Sequence, residues 1–190
     1  NQLMSLETLK ESDPNLFNDI IKLRKMALNQ RKAVYAGSFD PLTNGHLWMI
    51  EQGLSLFDHL TIAIGINPEK NYTYDIEDRL NILKKTLPES DNLNIAYFEN
   101  LYLVDYATEI GASYILRGIR SANDYEFERG MRHTNSQLKK DITTVFLMPP
   151  RDLAEVSSSM VKDLIGPEGW EEHVAKMVPA PVFEEIKAKY

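Results

Sequence analysis

The 190 residues contain no cysteine. Disulfides, thiolate catalysis and cysteine-bound zinc are thereby excluded, and the composition suits a cytoplasmic protein. No apolar run nears the ~18 residues that span a bilayer, so no membrane role is expected. No charged-then-apolar leader opens the sequence, which begins on Asn1 rather than Met, as a chain with a missing start or a terminal remnant would. Positive charge is also scarce: 21 Lys and Arg against 28 Asp and Glu leave a net charge of −7. Polyanion binders carry a basic surface, so nucleic acid is not an expected partner. Two phosphate-binding fingerprints are missing as well. There is no Gly-Lys-Ser/Thr of a Walker A loop and no Gly-x-Gly-x-x-Gly, which disfavours a dinucleotide-dependent dehydrogenase.

What is present is a hydrophobic share of 43%, ordinary for a chain with a real core. Residues 1–30 read as a polar helical extension. Leu16, Phe17, Ile20, Leu23, Met26 and Ala27 form its one apolar stripe, and Ser12-Asp13-Pro14 its helix start. The extension is expected to pack on its own domain or on a neighbouring subunit, with a partner-binding or regulatory helix as the alternative. Residues 31–190 form the main domain. Strands are expected at about 32–36, 60–66, 92–97, 114–116 and 142–148. Helices fall between them at about 45–57, 76–87, 104–110 and 122–138. A helix from Met160 to Ile165 and a C-terminus broken by Pro167, Pro179 and Pro181 follow. Asp75 is placed to cap the second helix, and Gly111 to end the third in a left-handed residue. Five strands alternating with helices predict an α/β, doubly wound parallel sheet. In a 3-2-1-4-5 order the switch point lies between strands one and four, and ligands bind beyond the strands' carboxyl ends there.

The two oddest turns follow those two strands. The first is Gly37-Ser38-Phe39-Asp40-Pro41-Leu42-Thr43-Asn44-Gly45-His46, a strand, glycine-containing turn and helix start that aims backbone N–H groups at a phosphate. His46 sits in the first helical turn, where the helix dipole disfavours its protonation, and it can donate to a phosphoryl oxygen. Ser38 can bond a phosphate or simply serve the turn. Asp40-Pro41 shapes the turn. The second is Arg117-Gly118-Ile119-Arg120. An arginine leaving a buried strand needs an anion, either a ligand phosphate or a carboxylate such as Asp124 or Glu128. Lys70, in the loop after strand two, is a candidate phosphate clamp. Glu126 and Glu128, two apart, cannot share a helix face. Ser157-Ser158-Ser159 opens a helix, and three serines exceed what one N-cap needs, which suggests a second anion site. His59, His133 and His173 have no metal-ligand spacing.

Taken together these residues resemble a known family. Thr43-Asn44-Gly45-His46 is similar to the T/HxGH signature of nucleotidyltransferases. With Gly37 to Pro41, Leu116 to Ser121, Asp124-Tyr125-Glu126, Val145 to Pro149, and Ser157 to Ser159 with Val161-Lys162, the set resembles bacterial-type phosphopantetheine adenylyltransferase from about Lys32 onward. The resemblance implies a Rossmann-like fold and the reaction of ATP with 4′-phosphopantetheine to give dephospho-CoA and pyrophosphate, with Mg2+, in a homohexamer. It implies that Ser38 and Phe39 meet ATP and the acceptor phosphate, and that His46 stabilises the transition state. Lys70, Leu103 and Arg117 would contact the acceptor. Gly118, Ile119, Arg120 and Glu128 would bind ATP. Leu153, Ala154, Glu155, Val156, Ser157, Ser158 and Ser159 would cover the nucleotide phosphates. Leu153 to Val156 departs from the family's more apolar lead-in, and Ala36 replaces a common proline. Two alternatives stand beside this reading: another small-molecule nucleotidylyltransferase, and a non-catalytic nucleotide or CoA sensor.

Overall fold

Strand and helix alternate from Lys32 onward, after two helices of the N-terminal extension. The structure, a computed structural model, describes residues 6–28, 30–138 and 141–190. Contacts divide the chain into two units, Asn1–Gln30 and Arg31–Tyr190. In the first, α1 (Leu6–Ser12) and α2 (Pro14–Leu28) meet at Asp13. The Leu16 N–H donates to Asp13 Oδ1 at 3.0 Å, so Asp13 caps α2 and Pro14 stands at its first position, where a missing N–H costs nothing. The expected stripe is only partly covered. Leu16 and Leu23 are exposed and Phe17 and Ile20 half-buried, while the side chains of Met26 and Ala27 lie outside the described residues.

The second unit runs β1 (Lys32–Gly37), α3 (Asn44–Leu56), β2 (His59–Ile66), α4 (Ile76–Thr86), β3 (Leu93–Glu99), α5 (Leu103–Glu109), β4 (Tyr114–Gly118), α6 (Ala122–Leu138), β5 (Thr143–Leu147), α7 (Arg151–Ala154), α8 (Ser158–Leu164), α9 (Trp170–Val174) and α10 (Ala180–Lys189). The sheet has the order β3-β2-β1-β4-β5, with the paired strands parallel, as expected. Alternation along β1 shows why both faces must be covered. Ala33 and Tyr35 enter one core with Ile62, Ile64, Leu116, Met49 and Ile50. Val34 and Ala36 enter the other with Ala63, Ile115, Val104 and Ala107. Each fully buried Ile or Leu contributes about 1.5–3 kcal/mol, which makes β1, β2 and β4 the stable floor of the domain.

Local signals mostly hold. Asp75 Oδ1 accepts the Asp78 N–H at 2.8 Å, and Gly111 ends α5 at φ 68°. Three details differ. β4 continues through Arg117 and Gly118, because their register partners on β5, Phe146 and Leu147, extend the ladder past the apolar run. A short α7 occupies what read as loop. Pro181 lies in the first turn of α10 rather than breaking a helix, since proline is tolerated where no N–H partner exists.

Two glycines give opposite expectations. A Cβ on Gly53 would come within 2.8 Å of Leu60 and 3.0 Å of Leu116, so α3 lies on the sheet only because this residue is small. Gly53→Ala should lose about 1–3 kcal/mol in urea unfolding through overpacking. A Cβ on Gly130 in α6 meets nothing within 4 Å. Gly130→Ala should gain about 0.5–1 kcal/mol in the same measurement, from helix propensity alone.

Candidate functional site

Beyond the carboxyl ends of β1 and β4 lies a cleft of about 330 Å3. It is the switch point of the strand order, where the sheet's two halves wind in opposite directions. Gly37 and His46 line it from the first turn, Arg117, Gly118 and Arg120 from the second, and Glu128 from α6. Leu153, Val156, Ser157 and Ser158 form a third wall. Gly45 lets that wall come close: a Cβ there would sit 3.3 Å from the Val156 carbonyl oxygen and 3.4 Å from that of Leu153.

His46 is set by its own helix start. Thr43 is the N-cap of α3, and the cap is reciprocal. The His46 N–H donates to Thr43 Oγ1 at 3.4 Å, and the Thr43 N–H donates to His46 Nδ1 at 3.1 Å. A backbone N–H can only donate, so Nδ1 must be an unprotonated acceptor. In the neutral ring the proton is then on Nε2. Burial, and then the positive charge of Arg120, push the imidazole down to about 4. The expected neutrality of His46 is therefore met. Its ring packs edge-on against Phe39, centroids 5.2 Å apart.

The cations of the cleft are held by carboxylates. Arg117 donates from both Nε (2.8 Å) and Nη2 to Glu128 Oε1, and from Nη1 to the Ala36 carbonyl at 3.2 Å. Arg120 donates from Nε to Asp124 Oδ2 at 3.0 Å, one helical turn away. Partial burial works to raise the Asp124 carboxyl. The bonds and charge of Arg120 outweigh it and hold the group below its usual range. The carboxylate partners weighed from the sequence are thus both made in the ligand-free chain. Glu126 pairs with Arg129 instead, confirming that it and Glu128 face different ways.

Asp40 does the structural work expected of it. Its buried carboxylate accepts the N–H groups of Thr73 and Tyr74, and Lys162 Nζ donates to it at 3.0 Å. One side chain joins the first turn, the loop after β2 and α8. Ser157 caps α8 through the Met160 N–H, and Ser158 donates to the Pro41 carbonyl at 2.8 Å. Those two hydroxyls are engaged with the chain itself, so the triplet is first of all a helix cap and a brace.

Several expected residues do not line the cleft. Phe39 is fully buried, and at φ 46° it has a left-handed backbone that costs a non-glycine residue about 1–2 kcal/mol. Its ring supports His46 instead. Ile119 is buried, and its N–H donates to the Leu147 carbonyl at 2.9 Å, continuing the sheet. Lys70 is exposed in the loop after β2. Ser38, Ala154, Glu155 and Ser159 are also outside the lining. Leu103 lines a neighbouring hollow of about 210 Å3, which shares Arg117, Phe127 and Glu128 with the cleft. Tyr35, Met49 and Phe127 line the cleft unforeseen. Tyr35 lies in the expected first strand and Met49 in the expected first helix, and neither belongs to the turns that marked the site. Among the described residues no cluster of three His, Cys, Asp or Glu could cage a metal.

The cytidylyltransferase-like family model matches residues 34–164, which spans all three walls. The solved structure of Plasmodium falciparum nicotinic acid mononucleotide adenylyltransferase superposes with a TM-score of 0.61 at 16% identity, covering 85% of this chain and 96% of that one. At that identity the likeness speaks for the fold. Phosphopantetheine adenylyltransferase of Chromobacterium violaceum is 52% identical over 160 residues, 84% of this chain and 98% of its own. That of Neisseria meningitidis is 57% identical over 160 residues, 84% of this chain and 94% of its own. On identity of that order across nearly the whole length of these relatives, the chain belongs to the phosphopantetheine adenylyltransferase family.

Proposed function

We infer that this chain transfers the adenylyl group of ATP to 4′-phosphopantetheine, giving dephospho-CoA and pyrophosphate in coenzyme A synthesis. Family membership supports the reaction, and the observation that carries the mechanism is the locked tautomer of His46. An acceptor phosphate oxygen forms a bond to the α-phosphorus of ATP. The bond from that phosphorus to the bridging oxygen breaks, and pyrophosphate leaves with the electron pair. A phosphate monoester is largely dianionic at neutral pH, so no protein base or covalent nucleophile is required. The protein's task is positioning and charge neutralisation. His46, neutral and protonated on Nε2, donates to an α-phosphate oxygen as charge builds there. Arg117 and Arg120, already oriented by Glu128 and Asp124, offer their remaining N–H donors to the phosphates without searching for a rotamer.

We assign the larger cleft to the nucleotide and the hollow lined by Leu103, Ile115 and Met131 to the apolar pantetheine arm. Arg117 stands where the two meet, next to the acceptor phosphate. Lys70 would act as a clamp only if its loop closes over bound substrate. Among the described residues the carboxylates nearest the cleft are occupied by arginines, which does not fit a resident metal. Mg2+ enters as the counter-ion of ATP, held by the phosphates. ATP as co-substrate supports a cytoplasmic setting, and the family resemblance supports a homohexamer, which light scattering would count. Among the described residues no helix is long and apolar enough to cross a membrane.

Purified chain given ATP and 4′-phosphopantetheine should release pyrophosphate and form dephospho-CoA by mass; binding of both without turnover would sink the reading. His46→Ala should lower kcat on the order of 10²–10³-fold, as removal of one oxyanion donor does, with KM for ATP little changed. Because the folded pKa of His46, about 4, lies below its ordinary 6.5, its neutral form is favoured by folding. Its contribution to stability is present above about pH 6.5 and lost as the pH falls toward 4, since the unfolded chain binds the proton first. The same group should add no ionisation to the kcat profile between about pH 6 and 8, and a titration of His46 near 6.5 by NMR would contradict the lowered pKa.

A further inference from the structure

Arg79 is the largest side chain buried to this degree in the domain, with only 2% of its surface exposed. It lies on α4, outside the cleft. The other cations around the site have carboxylates: Glu128 for Arg117, Asp124 for Arg120, Asp40 for Lys162. Among the described residues Arg79 has none. Its Nη1 donates to the Ser38 carbonyl at 3.0 Å and its Nε to the Asp75 carbonyl at 3.2 Å. The guanidinium lies 4.0 Å over the Tyr72 ring. These partners are dipoles and a π-face, which hold the group without cancelling its charge. A buried guanidinium is always protonated, so a full positive charge stays directly behind the first turn.

The carbonyl it holds belongs to the peptide between Ser38 and Phe39. That peptide is trans, so the Phe39 N–H points away from Arg79, from the opposite edge of the peptide. Phe39 then takes its left-handed conformation, and its ring meets His46 edge-on. Strained residues persist only where their surroundings over-determine them, and here Arg79 grips the turn from beneath. We propose that Arg79 is a positioning residue for adenylyl transfer: it orients the Ser38–Phe39 peptide, seats the Phe39 ring against His46, and leaves an unneutralised positive charge behind the turn for the anionic substrate. The kinetic part rests on the adenylyl-transfer reading; the seating of His46 does not.

The test uses full chains carrying Arg79→Met and Arg79→Lys. In the ligand-free parent, 15N signals of His46 should report an Nε2–H tautomer. In folded Arg79→Met they should shift toward a tautomer mixture, a change that general loss of stability would not produce. Per folded enzyme, kcat should fall about tenfold or more in Arg79→Met, and KM for the acceptor should rise by a smaller factor as the charge behind the turn is lost. Arg79→Lys keeps the charge and loses the forked grip, and should fall between parent and Met variant. If Arg79→Met does not fold, Arg79→Lys decides: parent-like His46 signals and parent-like kcat overturn the proposal. So do parent-like signals and kcat in a folded Met variant. A parent that makes no dephospho-CoA would refute the proposed reaction, while the His46 signals would still show whether Arg79 seats that ring.

Discussion

The hydrogen bond from the Thr43 N–H to His46 Nδ1 carries more of this protein's behaviour than any other single contact. It closes the capping box that starts α3, and so belongs to the fold. It also fixes which ring nitrogen carries the proton, and so belongs to the chemistry. Burial and the neighbouring Arg120 reinforce it by disfavouring the charged ring. A side chain used as a helix cap has little rotational freedom left, so the Nε2–H keeps one orientation in the ligand-free chain. That is preorganisation in its simplest form, with the ordering cost met during folding.

Around that contact the site is assembled by pairing. Asp40 gathers the first turn, the loop after β2 and α8. Glu128 and Asp124 hold two arginines against the cleft. Gly45 allows the 153–156 backbone to approach the first turn of α3, and Gly37 allows the Phe39 ring to lie 3.1 Å from where its Cβ would be. Each device fixes distance between segments remote in sequence. Arg79 beneath the turn is the exception, held by two carbonyls and an aromatic face rather than by a carboxylate.

Much of the fold was legible before any coordinates. Alternating apolar strands and periodic helices imply the parallel sheet and the order that places a cleft between β1 and β4. Asp75, Gly111 and Asp13 announced helix ends through their local chemistry, which needs no distant partner. The candidate site was legible wherever a residue's role is set by its own turn: His46, Gly118, Arg117 and Arg120 all line the cleft. What long-range burial decides could not be read from the sequence. Phe39 and Ile119 sit in the right motifs, yet their side chains point into protein. The serine triplet looked like spare anion-binding capacity, but Pro41, 117 positions away, accepts one of its hydroxyls.

By itself, then, the sequence determined the sheet, the switch point, the identity of the histidine and, through its three spaced motifs, the family. Those properties depend on local periodicity, capping and turn chemistry, which act within a few residues. Only the tertiary structure decided the protonated nitrogen of His46, the carboxylate each arginine holds, the role of Asp40 as a three-way join and the burial of Arg79 beneath Ser38. Each of these requires atoms from different elements to meet within about 3 Å, and no spacing along the chain encodes that meeting.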